Sequence, residues 1–308
     1  MAAKSIKELI EVYESSRVEI QSSKIIFSGM DEMDVYNITA PFKDMYKEVL
    51  AGRVEKRESE DSRTVFFVNK ENRWIPKENM TNFRLQDPFI TKIKGELIFG
   101  GVETYPHPYI KNALGYKTVF YRGSSTDRLH KFTEGPGMMK DIRLIEFPEG
   151  EIGIFTRPQG KIGGRGKIGF TKIKSLDELN ADIISSAKLI EDQFIDEEWG
   201  GSNELHILNN GLVGVLGHIA RFDEKGYRHY YSMVFSFDPK TCKASDIRII
   251  LMRSELPEGN AKRSDLKDVL FSGGIIRLNN GKAELYVGVS DAEAYKVTIE
   301  DPFKIYEK

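Results

Sequence analysis

One phrase recurs along this chain: a short alternating strand, a tight turn carrying glycine, and a second strand ending in small residues. It is read at 90–101, Ile90-Thr91-Lys92-Ile93-Lys94-Gly95-Glu96-Leu97-Ile98-Phe99-Gly100-Gly101, and again at 205–218 and 275–288. Period-2 alternation across a Lys94-Gly95 turn is the mark of a hairpin. Asn209-Asn210-Gly211 and Asn279-Asn280-Gly281 mark the other two turns. Similar β-rich runs extend from Lys24–Phe27 to Tyr295–Ile299, about 16 to 20 candidate strands. So many short strands close into a sandwich, a barrel or a propeller. The repetition favours a radial array of four-stranded blades. At about 60 residues per blade, 308 residues give five. The expected fold is therefore all-β, a five-bladed β-propeller in one domain. No linker rich in Pro, Ser or Gly divides residues 18–308.

Two helices are expected beside the strands. Ile6, Leu9, Ile10 and Tyr13 stand at helical spacing within residues 1–17. A second helix is expected from Ser175, as N-cap with Glu178 completing a capping box, to about Gln193.

Lys and Arg number 45 against 47 Asp and Glu, a net charge of −2. That balance argues against nucleic acid as a partner. The lone Cys242 allows neither an intrachain disulfide nor a multi-cysteine zinc site. His130, His206 and His229 lack metal-ligand spacing, and no metal is expected. The first residues lack the apolar run of a signal peptide, and no stretch reaches the roughly 20 apolar residues of a membrane span. A cytoplasmic location and no membrane partner are the expectations; self-association stays open.

Asp87 stands at the mouth of the first hairpin, ahead of Pro88, which steers it from the α region. It reads either as a turn-capping aspartate or as a catalytic acid on a rigid edge. Partial burial would raise its pKa. The Gly-rich basic segment 157–167, with Arg157, Arg165 and Lys167, lacks P-loop spacing but could cradle a phosphate; the other reading is a solvated basic hairpin. Glu55, Glu103, Glu204 and Asp291 are further acids for the same pocket, or else salt-bridged turn residues. Tyr105-Pro106-His107-Pro108-Tyr109 and Trp199 could flank a sugar or simply pack.

Several segments, in order over roughly residues 35–300, resemble the five-bladed propellers of glycoside hydrolase family 130. They are still more similar to its relative, the mannosyltransferase-phosphorylase family, glycosyltransferase family 108. The segments are Arg53-Val54-Glu55-Lys56-Arg57 with Ser62-Arg63, Gln86-Asp87-Pro88-Phe89-Ile90-Thr91-Lys92-Ile93, Thr156-Arg157-Pro158, Gly217-His218, 269–274 and Leu285-Tyr286-Val287-Gly288. The resemblance implies Asp87 as proton donor, Arg157 and His218 on phosphate, and Arg53 with Asn37 on the sugar. One departure stands out. Gly201-Ser202-Asn203-Glu204-Leu205-His206 replaces the family's Pro-Pro-x-Ile-Lys run, so a phosphate-binding lysine is missing, and Asn203 or His206 is the available substitute.

The implied activity is inverting mannosyl transfer between phosphate, or a phosphorylated mannose donor, and β-mannosides, with β-1,2-linked oligosaccharides the expected substrates. Phosphate or mannose-1-phosphate would be a substrate, and no cofactor is implied. A hydrolase on the same fold, a non-catalytic sugar-binding propeller and a protein-interaction platform are the competing readings.

Overall fold

The computed structural model describes residues 3–78 and 80–308. Five antiparallel sheets are set around an axis, and neighbouring sheets touch mainly through the first strand of each. Blade 1 comprises Asp34–Tyr36, Lys47–Glu55, Arg63–Lys70 and Arg73–Pro76, with Phe42–Asp44 added beside its second strand. Blade 2 comprises Gln86–Ile93, Glu96–Pro106, Leu114–Gly123 and His130–Glu134. Blade 3 comprises Arg143–Glu146, Ile152–Thr156, Gly169–Ile173 and Lys188–Leu189. Blade 4 comprises Trp199–Ile207, Val213–Phe222, Arg228–Asp238 and Lys243–Ala244, with Arg248–Leu251 paired to its third strand. Blade 5 comprises Leu270–Arg277, Lys282–Val289 and Glu293–Glu300, and its outer strand is Gln21–Lys24 from the other end of the chain. The ring is thus closed by main-chain bonds between the first strand and the last. The expected five-bladed propeller is the fold.

The repeated hairpins form where the sequence places them. Ile93 pairs with Glu96 across Lys94-Gly95, whose φ values of 51° and 80° are those of a type I′ turn. Aromatic rings fill the wedges between blades. Phe155 and Phe170 of blade 3 meet Phe237 of blade 4 at 5.2 and 4.6 Å, and Phe66 of blade 1 meets Phe99 of blade 2 at 5.0 Å. Their area burial and tilted contacts hold adjacent blades in register.

The N-terminal helix runs from Ile6 to Ser15, with Ser5 and Glu8 forming a capping box. Ile6 and Leu9 bury against blade 4, and Glu198 accepts the Ile6 amide at 2.8 Å. The expected helix from Ser175 to Gln193 does not form. A 3₁₀ turn at Leu176–Glu178 and a short helix at Ala181–Ser185 stand in its place. Ser175 accepts from Asp177 rather than closing a box, and Asn180 starts the second piece by accepting from Asp182 and Ile183. Lys188–Leu189 then pairs with Gly169–Ile173. Sheet pairing at the edge of blade 3 outweighs the local capping signal, a tertiary override of local preference.

Candidate active site

The first strands of blades 2, 4 and 5 carry an irregularity at a corresponding place, and in blades 2 and 4 it presents a polar residue. Asp87 sits in the gap between the pairs Gln86–Val102 and Phe89–Gly100, Asn203 between Ser202–Gly217 and Glu204–Leu216, and Gly273 between Ser272–Val287 and Gly274–Tyr286. Asn203 and Gly273 are each the extra residue of a β-bulge, and Asp87 with Pro88 forms one opposite Gly101. In blades 1 and 3 the corresponding residues are Asn37 and Asp141, just ahead of or after the strand. Asn37, Asp87 and Asp141 have φ of 44°, 48° and 58°. The left-handed region is tolerated by Asn and Asp and is found where a site imposes it. Asp87 is therefore not the extended residue that Pro88 alone would favour. The bulge turns it left-handed and swings its carboxylate to the axis.

Asp87 is buried, with 4% of its surface exposed. Its Oδ1 accepts from Asn37 Nδ2 at 2.8 Å and Arg53 Nη1 at 3.3 Å, and its Oδ2 faces Lys140 Nζ at 3.7 Å. Burial pushes its pKa up, but the charges of Arg53 and Lys140 and the Asn37 hydrogen bond outweigh that and hold it at about 2. The raised pKa expected from burial is thus reversed: beside Arg53 and Lys140, Asp87 is an ionised acceptor. Glu55 lies behind Arg53, held by Arg53 Nη2 at 3.0 Å and by Tyr36, Ser62 and Lys262. A fully buried carboxylate so completely partnered braces Arg53 and has no surface for a sugar.

On the far side of Lys140, Arg157 donates to Asp141 Oδ2 at 3.1 Å and to the Gly200 carbonyl at 3.0 Å. Gly166 makes room for it. A Cβ there would come within 2.8 Å of Arg157 Nε, and its φ of 141° suits glycine. His218 Nδ1 meets Asn203 Oδ1 at 2.9 Å, and the ring stacks on Tyr230. Burial, reinforced by Arg157 and Lys140 against the pull of Asp141, lowers the His218 pKa to about 3, so the imidazole is neutral. Lys140 stays charged: burial works against it, but Asp141 and Asp87 raise its pKa. Asp291, in the turn between the second and third strands of blade 5, is pushed up by burial and by Asp87 against the opposing charge of Arg53.

These residues wall two connected chambers. The inner, of about 180 Å³, is lined by Asn37, Arg53, Asp87, His218, Asp291 and the loop 262–269. The outer, of about 400 Å³, is lined by Arg157, Arg165, Tyr116, Gln159, Trp199 and Phe222. Glu60, Gln86, Lys140, Arg228 and Tyr230 belong to both. The Phe222 ring lies 4.7 Å from Trp199 and carries the guanidinium groups of Arg165 and Arg228 at 5.4 and 5.6 Å.

The structure thus brings together Asn37, Arg53, Asp87, His218 and Asp291, with Arg157 and Arg165 next door and Asn203 behind His218. Besides Glu55, it leaves three expected residues outside. Lys167 pairs with exposed Asp196 at 3.4 Å and lines neither chamber, because the loop folds into a short helix, Gly160–Gly163, that carries only Arg157 and Arg165 to the cleft. Glu103 pairs with Lys117 at 3.4 Å and lines neither chamber, although Val102 and Thr104 on either side of it line the outer one. Glu204 accepts the Ile275 amide at 2.6 Å and pairs with His206 at 3.0 Å, tying blade 4 to blade 5, so His206 does not replace the missing lysine. Tyr109 is exposed at the tip of its hairpin, while Trp199 does line the outer chamber and donates to the Tyr230 hydroxyl at 3.3 Å. The residues the sequence reading passed over are Lys140, Asp141, Tyr230 and Glu60. Lys140-Asp141 had one signal: it precedes the first strand of blade 3 as Asp87 opens that of blade 2. Among the described residues, no group of three or more His, Cys, Asp or Glu is placed to hold a metal ion.

No curated protein matches the chain. Among solved structures it is similar to MPT-4, a mannose phosphorylase from Leishmania mexicana in complex with phosphate ion. The identity is 34% and the TM-score 0.89, over 98% of this chain and 95% of that one. It is equally similar to MPT-1, a GDP-Man-dependent mannosyltransferase from the same organism, at 33% identity and TM-score 0.89 over 99% and 96%. A β-1,2-mannobiose phosphorylase from Listeria innocua shares the fold at 13% identity and TM-score 0.63, over 90% and 93%. The family model described as protein of unknown function (DUF1861) matches residues 11–305, and the chain belongs to that family.

Proposed function

We propose that this chain is an inverting mannosyl-transferring enzyme that moves a mannosyl unit between phosphate, or a phosphorylated mannose donor, and a β-mannoside, β-1,2-linked in the first instance. The observation that carries this reading is the placement of ionised Asp87 on the wall of a sugar-sized chamber, 3.7 Å from Lys140, with Arg157 beyond it. The resemblance to a mannose phosphorylase and a mannosyltransferase over nearly the whole chain supports it.

In the transfer direction the acceptor hydroxyl oxygen attacks C1 of the α-mannosyl phosphate. Its proton passes to Asp87, the C1–O bond to phosphate breaks, and the phosphate leaves into the field of Lys140 and Arg157. In phosphorolysis a phosphate oxygen attacks C1 of the β-mannoside, and the departing sugar oxygen takes the proton back from Asp87. Phosphate is already an anion, so no second carboxylate is needed as base. A cationic cradle is needed, and Arg157 with Lys140 supplies it. Lys140 takes the part for which the sequence offered no lysine on blade 4. Phosphorolysis needs Asp87 protonated, and bound phosphate provides for this by neutralising the cations that hold its pKa down. The reaction as proposed uses no cofactor.

The test is incubation with β-1,2-mannobiose with and without inorganic phosphate. Mannose-1-phosphate formed only with phosphate is the expected result. Free mannose in both cases would make the enzyme a hydrolase, and no turnover in either direction would overturn the reading. One observation favours a second form of the donor. The chamber beside Arg157 is far larger than an inorganic phosphate needs, and it is lined by Trp199, Phe222 and two arginines. Such a wall suits a diphosphate carrying a stacked base. Comparison of GDP-mannose with mannose-1-phosphate as donor decides between the two.

A further inference from the structure

Two loops meet over the inner chamber: residues 56–62 of blade 1, and residues 259–267, which lead into blade 5. Their meeting point is Glu60. Its Oε1 lies 3.0 Å from Lys262 Nζ and 3.1 Å from Arg263 Nη1, and its Oε2 lies 3.6 Å from Arg53 Nη2. Lys262 is itself buried and shared with Glu55. Glu60 is nonetheless half exposed, its side chain 51% accessible, and it lines both chambers. Three cations clamp the carboxylate in place, while Oε2 has no hydrogen-bond donor among the described residues.

We propose that Glu60 is a specificity-determining residue that accepts a hydrogen bond from a hydroxyl of the acceptor sugar. The assignment rests on the mannosyl-transfer reading above. Inversion at C1 requires the incoming and departing groups to lie on opposite faces of the transferred sugar. The cations assigned above to phosphate, Lys140 and Arg157, come from blade 3, where each faces one aspartate. Across the chamber from them the wall is built from blade 1 and the loop into blade 5. There Lys262 and Arg263 are already neutralised by Glu55, Glu60 and Asp265. A wall with its charges paired suits a neutral polyol. Leu266 and Val269 supply an apolar face for its C–H groups, and Glu60 supplies a fixed acceptor for one of its hydroxyls.

The experiment compares Glu60→Gln with the unaltered enzyme in the transfer direction, using mannose-1-phosphate and a panel of monodeoxy methyl mannosides. The substitution keeps the shape and removes the charge. The KM for the acceptor is expected to rise about tenfold to a hundredfold, the worth of a hydrogen bond to a charged group. The KM for mannose-1-phosphate is expected to hold within about twofold. One deoxy position should weaken the acceptor for the unaltered enzyme and make no difference to Glu60→Gln. Arg263→Ala, which loosens the clamp but leaves the carboxylate, should give a smaller rise in acceptor KM and keep the deoxy discrimination. Glu60 acting only as a loop clasp would move both KM values together and leave the deoxy pattern unchanged in Glu60→Gln, and that result overturns the assignment. Turnover by the unaltered enzyme separates the two proposals. If it transfers mannose while Glu60→Gln behaves as a clasp, only the Glu60 role is lost; if it transfers none, both fall.

Discussion

Asp87 and Asp141 hold corresponding places in adjacent blades, both left-handed, both buried and both paired with an arginine at 3.1–3.3 Å. Their surroundings set them apart. Asp87 reaches across to Arg53 of the neighbouring blade, and both members of that pair line the inner chamber. Asp141 is paired with Arg157 just beyond the second strand of its own blade. It is 1% exposed, and only the arginine reaches a chamber. One scaffold position thus yields an acid in one blade and a braced cation in the next, according to which partner meets the void. Lys140, the residue before Asp141, joins the two pairs through its contact with Asp87.

The sharpest way to break this comparison is to neutralise each acid. Asp87→Asn is expected to lower turnover by about 10²–10⁴-fold, with a melting temperature within a few degrees of the unaltered protein. A variant with undiminished kcat would remove Asp87 from the chemistry. Asp141→Ala is expected to act on stability instead. It leaves Arg157 buried and unpaired, which costs about 3–5 kcal/mol, measurable by urea unfolding. Arg157→Lys keeps the charge and loses the planar fork, so the KM for phosphate should rise about tenfold or more while the KM for the mannoside changes little. An equal rise in both would mean that Arg157 shapes the whole pocket.

The two titrating groups act over different pH windows. Asp87 has a folded pKa of about 2, below its unfolded value. Its contribution is present above the unfolded pKa and disappears as pH falls through the folded one. The stability at stake is on the order of 2 kcal/mol, and Asp87→Asn should flatten the unfolding curve between about pH 4 and 2. His218, with a folded pKa of about 3, is buried neutral. The unfolded chain takes up its proton first, so stability falls from about pH 6.5 downward. His218→Asn should flatten that earlier decline and leave the later one. The smallest expected effect is at Lys167: Lys167→Ala should change stability by less than about 0.5 kcal/mol and the phosphate KM by less than twofold. A larger loss of phosphate affinity would return Lys167 to the cradle.

What could be read from the sequence follows from how local each signal is. The hairpin turns at Lys94-Gly95 and Asn280-Gly281 are set by neighbouring residues, and the repeat they punctuate leads to the ring. Asp87, Arg157 and His218 were legible because each stands in a short ordered segment. Lys140-Asp141 lies in a connecting stretch without periodicity, and its role comes from Asp87 more than fifty residues away. The state of Glu55 could not be read either, because it depends on Lys262, 207 residues distant. The reversed pKa of Asp87 has the same origin, since burial was foreseeable and the cations around it were not. The segment after Ser175 shows the converse. Ser175 and Glu178 have the spacing of a capping box, yet the free edge of blade 3 claims Lys188–Leu189 for pairing.

The pairing of Gln21–Lys24 with Tyr295–Thr298 has a consequence for how the molecule is made. The first strand leaves the ribosome early and finds its partner only after every other blade has been synthesised. Until then blade 5 lacks its outer edge, and the ring is an open arc with an unpaired strand at one end. Closing so long a loop is a late and slow step, and a protease that cuts near residue 24 before latching would release a crescent in place of a ring.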